Sequence, residues 1–467
     1  MRCVFRTVFV ALILILLAFL IVPFIIGYTI QKNINQALDT FNKQQSPYIT
    51  LSLPQFHRHW FYSDAQIKLS THFPPAISQL NNDYTFDAII KHGPLFVISQ
   101  NGTRQLFFNK GALVIYGDSD NFQGVAANIF DWRNKFYSFA HVPLLKLINV
   151  NGINLTLQNL QVSSQEKFNH NIVTTLSIDS IQASSVKNGL PFTLTINKLT
   201  TITKGEFQNF IWLGTHNTSV ENIDVSLNSN GITNKIGVLQ NLSFNISNTL
   251  SADASKFNAE SMTNVQSLTI ADKTIQPVTL SYSLNNVDMG AYMALLQAAK
   301  QLPTQANLTA QIAQSGIDIA KKGFTFKLNK LFVGLPKSLA SSPILASGEI
   351  TLAPNEQLKI SPTLKNDVEA LITADAQLSL PQSLLKQYMS LRYSKMLPGN
   401  KSSITPEQLA EQSYNDLINN AMFTVNPDGS VQTRLSFSAG KLLINGHAPA
   451  FNLPAPPVEK NEGALEN

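Results

Sequence analysis

The sequence predicts an α+β fold dominated by β-structure. It reads as an extended, mostly antiparallel sheet with several covering helices in the C-terminal half, plus one N-terminal transmembrane helix. Three observations lead there. Apolar residues alternate with Ser, Thr and Asn in short runs from Tyr48 to about Leu284, the period of a half-buried strand. Asn-Gly and similar turn signals separate those runs. Helical spacing and capping residues appear mainly after residue 286.

The elements follow in order. Residues 1–6, with Arg2 and Arg6, form a short stub, and residues 7–30 carry no charge over 24 positions. About 20 apolar residues cross a bilayer core, whereas a cleaved signal has an apolar region of only about 7–15. Residues 7–30 are therefore expected to span a membrane. Positive charge favours the cytoplasmic side, so the stub lies inside and Gln31 onward outside. In residues 31–47, Ile34, Leu38 and Phe41 form one stripe of a juxtamembrane helix that ends near Pro47.

Residues 48–285 are expected to be β-rich. Strand alternation appears in YITLSL (48–53), AQIKLS (65–70), LFVIS (95–99), LVIY (113–116), INLTLQ (153–158), FTLTI (192–196), IDVSL (223–227), LSFNIS (242–247) and VTLSYSL (278–284). Turn signals stand at 101–102, 117–121, 151–152, 188–189 and 228–231. Residues 286–450 mix both classes. Asp288 reads as the N-cap of a helix over 288–301, and a second helix is expected over 381–397. Thr405, Pro406 and Gln408 open a third, over 405–421, with a capping box. A hairpin around PDG at 427–429 closes the fold, and residues 451–467 form a Pro-rich tail.

Composition excludes some functions. Only 13% of the 467 residues are charged and the net charge is +5. No Lys/Arg cluster tracks a phosphate backbone, so no nucleic-acid partner is expected. The single cysteine, Cys3, precedes the apolar run. A lipobox cysteine would follow it, and the rest of the chain must fold without a disulfide.

Candidate chemistry is sparse. His57 and His59 are two apart, the spacing of one strand face. With His72 or His92 they could hold zinc. No HExxH motif and no acidic cluster supports that, so no metal ligand and no cofactor is expected. GDSDN at 117–121 lacks the twelve-residue calcium pattern and reads as a turn. No catalytic residue is singled out.

The segment QFHRHWFYS at 55–63 is similar to the signature of the YdgA-like family of bacterial envelope proteins. Phe56, Arg58, Phe61 and Ser63 match it, and His59 stands where the family has glycine. His92, Gly93 and Pro94 in IIKHGPLF (89–96) resemble its Ile-x-His-Gly-Pro segment. Asn445 and Gly446 in GKLLINGHA (440–448) resemble its C-terminal Asn-Gly strand. The resemblance covers nearly the whole chain. It implies a single-pass protein of the bacterial inner membrane, with its C-terminal bulk in the periplasm and no assigned reaction.

Three functional readings follow, in order. The first is a non-enzymatic, membrane-anchored envelope protein that binds lipid or a hydrophobic client on an apolar sheet face. The second is a structural scaffold of the envelope, partnered by other envelope proteins. The third is a metal-dependent hydrolase around His57, His59 and His92.

Overall fold

The computed structural model describes residues 22–29, 34, 38–39, 42, 49–72, 83–100, 103–118, 120, 122–133, 135–150, 153–166, 171–187, 190–208, 211–229, 232–301, 308–340, 342–359, 364–396 and 405–449. It divides into two compact units, residues 1–252 with 268–271 and 290–315, and residues 253–267 with 272–289 and 316–467. Most of the expected membrane span lies outside the described residues, as do Phe41, Pro47 and the tail. Residues 22–29, Ile34, Leu38, Asp39 and Asn42 are helical. No helix among the described residues is long and apolar enough to cross a membrane.

The first unit opens with β1 (Ile49–Arg58), β2 (Tyr62–Thr71), β3 (Asp83–His92), β4 (Leu95–Gln100), β5 (Thr103–Phe108), β6 (Gly111–Asp118) and β7 (Phe122–Phe130). Much longer strands follow: β8 (Phe136–Val150), β9 (Ile153–Glu166), β10 (Ile172–Lys187), β11 (Leu190–Gln208), β12 (Ile211–Ser229) and β13 (Ile232–Leu250). Each pairs antiparallel with the next, from β1 through β2, β3, β6 and β7 to β13. Strands β4 and β5 form a separate hairpin. The strand ends pair as Gln100↔Thr103, Val150↔Ile153, Lys187↔Leu190 and Ser229↔Ile232, on either side of the Asn-Gly pairs expected to turn the chain, which themselves lie outside the described residues.

Two cores flank β6. Phe96 and Ile98 of the hairpin pack with Ala112, Val114, Val125, Ala127, Ile129 and Phe139. On the other face, Leu113 and Ile115 join Ala65, Ala88 and Ile90, capped by Ile34 of the helical segment. Burial on both faces explains why LVIY is continuously apolar. The helical segment also guards β1, an edge strand. Asn42 donates to the Leu51 carbonyl at 2.9 Å and accepts from Leu51 N at 2.8 Å, as a neighbouring strand would.

Across the long strands runs a row of ladder gaps. The flanking pairs align Pro143, Asn159, Asp179, Lys198, Glu221 and Asn241, one per strand from β8 to β13. Asn159, Lys198 and Asn241 have φ of 52°, 49° and 50°. Pro143 has no N–H to give, so it is tolerated where the ladder is already open. The apolar alternation shifts by one residue at this row. It runs Leu155, Leu157 and then Leu160, Val162 in β9, and Ile223, Val225 against Val220, Thr218 in β12. In a flat strand that shift would send the two halves to opposite faces. The kink absorbs the extra residue, as a bulge does.

The second unit pairs β14 (Lys256–Ile270), β16 (Val278–Asp288), β17 (Phe324–Val333), β18 (Ile344–Leu352), β19 (Ile372–Pro381), β21 (Ser430–Ser438) and β22 (Lys441–Ile444). The short β15 (Lys273–Ile275) and β20 (Thr424–Val425) accompany them. Helices α1 (Met289–Gln301), α4 (Gln382–Met396) and α5 (Pro406–Asn419) agree with expectation. Helices α2 (Leu308–Lys322) and α3 (Leu364–Leu371), and strands β17, β18 and β19, were not expected from the sequence. Asp288 ends β16, with its carboxylate 3.7 Å from Lys256. Thr405 does cap α5, with the reciprocal Gln408 bond present. Leu385 of α4 and Tyr414 of α5 bury Val431 of β21, so these two helices cover part of the sheet.

Candidate functional site: a sealed Ser-His pair and an apolar groove

Most of the motif residues assemble around the N-terminal helical segment. Ser63 is the second residue of β2 and His92 ends β3, and they are 0% and 1% exposed. Ser63 Oγ lies 2.9 Å from His92 Nε2, and His92 Nδ1 lies 3.4 Å from the Trp60 carbonyl. A carbonyl only accepts, so Nδ1 carries the proton and the Ser63 hydroxyl donates to Nε2. Burial holds the His92 pKa below its ordinary value. The nearby positive charges of Arg58 and His59 add to this, while the Trp60 carbonyl opposes it.

The helix closes over that imidazole. A Cβ on Gly27 would sit 2.4 Å from His92 Cε1, so only glycine allows this approach. The Arg58 guanidinium lies over the rings of Phe24 and Tyr28, at 4.8 and 5.7 Å. Trp60 packs on Phe24 with ring centres 5.1 Å apart. Phe56 packs into the core beside Ile34. Phe61 is half-exposed, and its carbonyl accepts from His92 N at 2.8 Å. Gly93 N donates to the Lys110 carbonyl, and a Cβ at Gly93 would meet Asn109 O at 2.1 Å. Pro94 follows a cis peptide bond and accepts from Asn109 N.

Asn445 and Gly446 belong to the second unit and make a turn of their own, with φ of 50° and 85°. Asn445 accepts from Arg434 N and donates to the Ala421 carbonyl, both at 2.8 Å. They clamp the closing hairpin.

The histidines do not converge. His59 lies beyond the end of β1, so it does not share a strand face with His57. It contacts Asp64 at 2.9 Å and stacks on Tyr62. His72 bonds Thr50 and His92 bonds Ser63. No group of three or more His, Cys, Asp or Glu suited to a metal occurs among the described residues. The Ser63–His92 distance suits a nucleophile and its base, but a substrate has no approach to a fully buried hydroxyl.

A second feature lies on the long strands. A groove of about 600 Å3 is lined by Phe136, Ile172, Phe207, Trp212 and Ile246, with Thr203, His216 and Asn248 among the polar positions. Beside it Gly205 and Gly214 face each other across β11 and β12, where the two backbones approach too closely for a Cβ. Gly214 has φ of 133°, and a Cβ there would meet the Lys204 carbonyl at 2.1 Å. Thr203 and Thr218 hold the two His216 nitrogens at 2.9 and 3.0 Å. Trp212 Nε1 is buried without a hydrogen-bond partner. An apolar sheet face is expected from the sequence, but its place is not, because GEF and WLG at 205–207 and 212–214 carry no turn or strand signature.

These features define a β-sheet protein with a helix-clasping aromatic socket and an apolar sheet groove. The chain belongs to the DUF945 family of bacterial proteins of unknown function, which it matches over residues 6–111 and 132–449. No curated protein and no solved structure matches it.

Proposed function

We propose that this protein is a membrane-anchored, periplasmic envelope factor that binds a lipid acyl chain, or a similarly apolar client segment, in the groove of β8–β13. The carrying observation is the groove itself. Its volume of about 600 Å3 falls in the range of ligand sites, roughly 300–1,000 Å3. Aromatic and aliphatic walls with a few polar groups are the usual make-up of such sites. The unpartnered Trp212 N–H offers a donor to an ester or carboxyl oxygen, and an unmet buried donor costs about 1–3 kcal/mol. The YdgA-like resemblance and the uncharged run at 7–30 support the envelope setting. The role is binding, without a reaction.

A variant that keeps Trp212 as its sole tryptophan (Trp60→Phe, Trp132→Phe) tests this with cis-parinaric acid. Saturable energy transfer from Trp212 is expected, with affinity weakened about tenfold or more by Ile246→Asp, equivalent to about 1.4 kcal/mol. Transfer that does not saturate, or that ignores Ile246→Asp, contradicts the groove as the binding site.

A further inference from the structure

The β4–β5 hairpin presents an apolar face that the fold leaves uncovered. Alternate residues of a strand point to opposite faces. Phe96 and Ile98 enter the core, whereas Leu95, Val97, Leu106 and Phe108 are 48%, 44%, 66% and 63% exposed. The register pairs Leu95 with Phe108 and Val97 with Leu106, so the four form one patch. Trp132, also exposed, extends it, with its ring 6.0 Å from Phe108. An edge hairpin this apolar is a liability in water, and large exposed apolar patches mark contact surfaces.

Position identifies the partner. Read as a helical span, the uncharged run of 24 residues at 7–30 would measure about 36 Å against a hydrocarbon core of about 30 Å. The end of such a span reaches the headgroup level, and the described helix at 22–29 packs on Trp60 and His92. Leu95 follows His92 by three residues, at most roughly 11 Å of chain. Exposed Trp60, Phe61 and Tyr62 stand at the same end, and aromatic side chains favour the membrane interface. Cations border the patch. Arg104 pairs with Ser99 one step beyond Val97 on the same face, Lys91 lies over the Tyr62 ring, and Arg133 follows Trp132.

We propose that the exposed face of the β4–β5 hairpin, with Trp132, docks on the headgroup region of a bilayer containing anionic phospholipid. The docked hairpin makes a second membrane contact beside the N-terminal span, and it holds the first unit against the bilayer. The inference rests on reading residues 7–30 as that span.

Full-length protein in vesicles of phosphatidylcholine and phosphatidylglycerol, with shallowly brominated acyl chains, tests both parts. Single-tryptophan variants report Trp60 or Trp132, and flotation reports the anchor. Loss of Trp132 emission alongside Trp60 is expected, and Leu106→Asp should restore Trp132 emission while flotation persists. Leu106 is exposed, so this variant leaves the core intact. Flotation with Trp60 quenched and Trp132 unquenched overturns hairpin docking and leaves the anchor standing. Failure to float overturns the anchor and the docking with it.

Discussion

At the scale of single residues, His92 is the most demanding group in the molecule. It is buried, neutral and satisfied at both nitrogens. Its folded pKa lies below its ordinary value, so the unfolded chain takes up the proton first. The associated stability is complete above the unfolded pKa of about 6.5. It is lost as pH falls from there through the lower folded value. Melting temperature followed from pH 8 to pH 5 should therefore decline for the native chain and decline less for His92→Gln. Parallel curves would contradict a buried neutral imidazole. The lowered carboxyl groups of Asp83 and Asp428 titrate at lower pH and leave this window clear. The sequence marked His92 through its Gly-Pro neighbours. It could not show that Ser63, 29 positions earlier, is the partner, because only the register of β2 on β3 brings them together.

At the scale of elements, what was legible was whatever acts locally. Asn-Gly connections and the Thr405 capping box depend on two to four consecutive residues, and both appear where expected. Strand length was not legible. Strands β10 to β13 run 16 to 19 residues, yet the alternation marks only one short piece in each of β11, β12 and β13 and none in β10. The phase change at the Pro143–Asn241 row breaks the alternation in mid-strand. Pro143 and Lys198 occupy that row, where the ladder is open. Asp288 sits directly before α1, where a cap is expected, and is also the last residue of β16, paired with Lys256. The capping box gives a direct check. Thr405→Ala removes the bond from Gln408 N and should cost about 1 kcal/mol. Denaturant unfolding reads that loss as a lower midpoint at unchanged slope.

At the scale of the whole molecule, the chain builds two units without disulfides and with few charges, and it keeps its apolar surfaces in a groove and a hairpin face. Both lie in the first unit, which also clasps the N-terminal helix through Arg58, Trp60 and His92. The expectation of an apolar sheet face was drawn from composition and alternation alone. Its location is set by strand pairing that brings Phe136, Ile172, Phe207, Trp212 and Ile246 together, which no local pattern reveals. Binding of lipid in that groove is the central claim. It is tested most directly by mass spectrometry of lipids carried by residues 22–467, secreted into a bacterial periplasm with the His92-covering helix retained. Stoichiometric phospholipid or lipid A, absent from Ile246→Asp, is the expected result. A lipid-free, monodisperse native protein would contradict it.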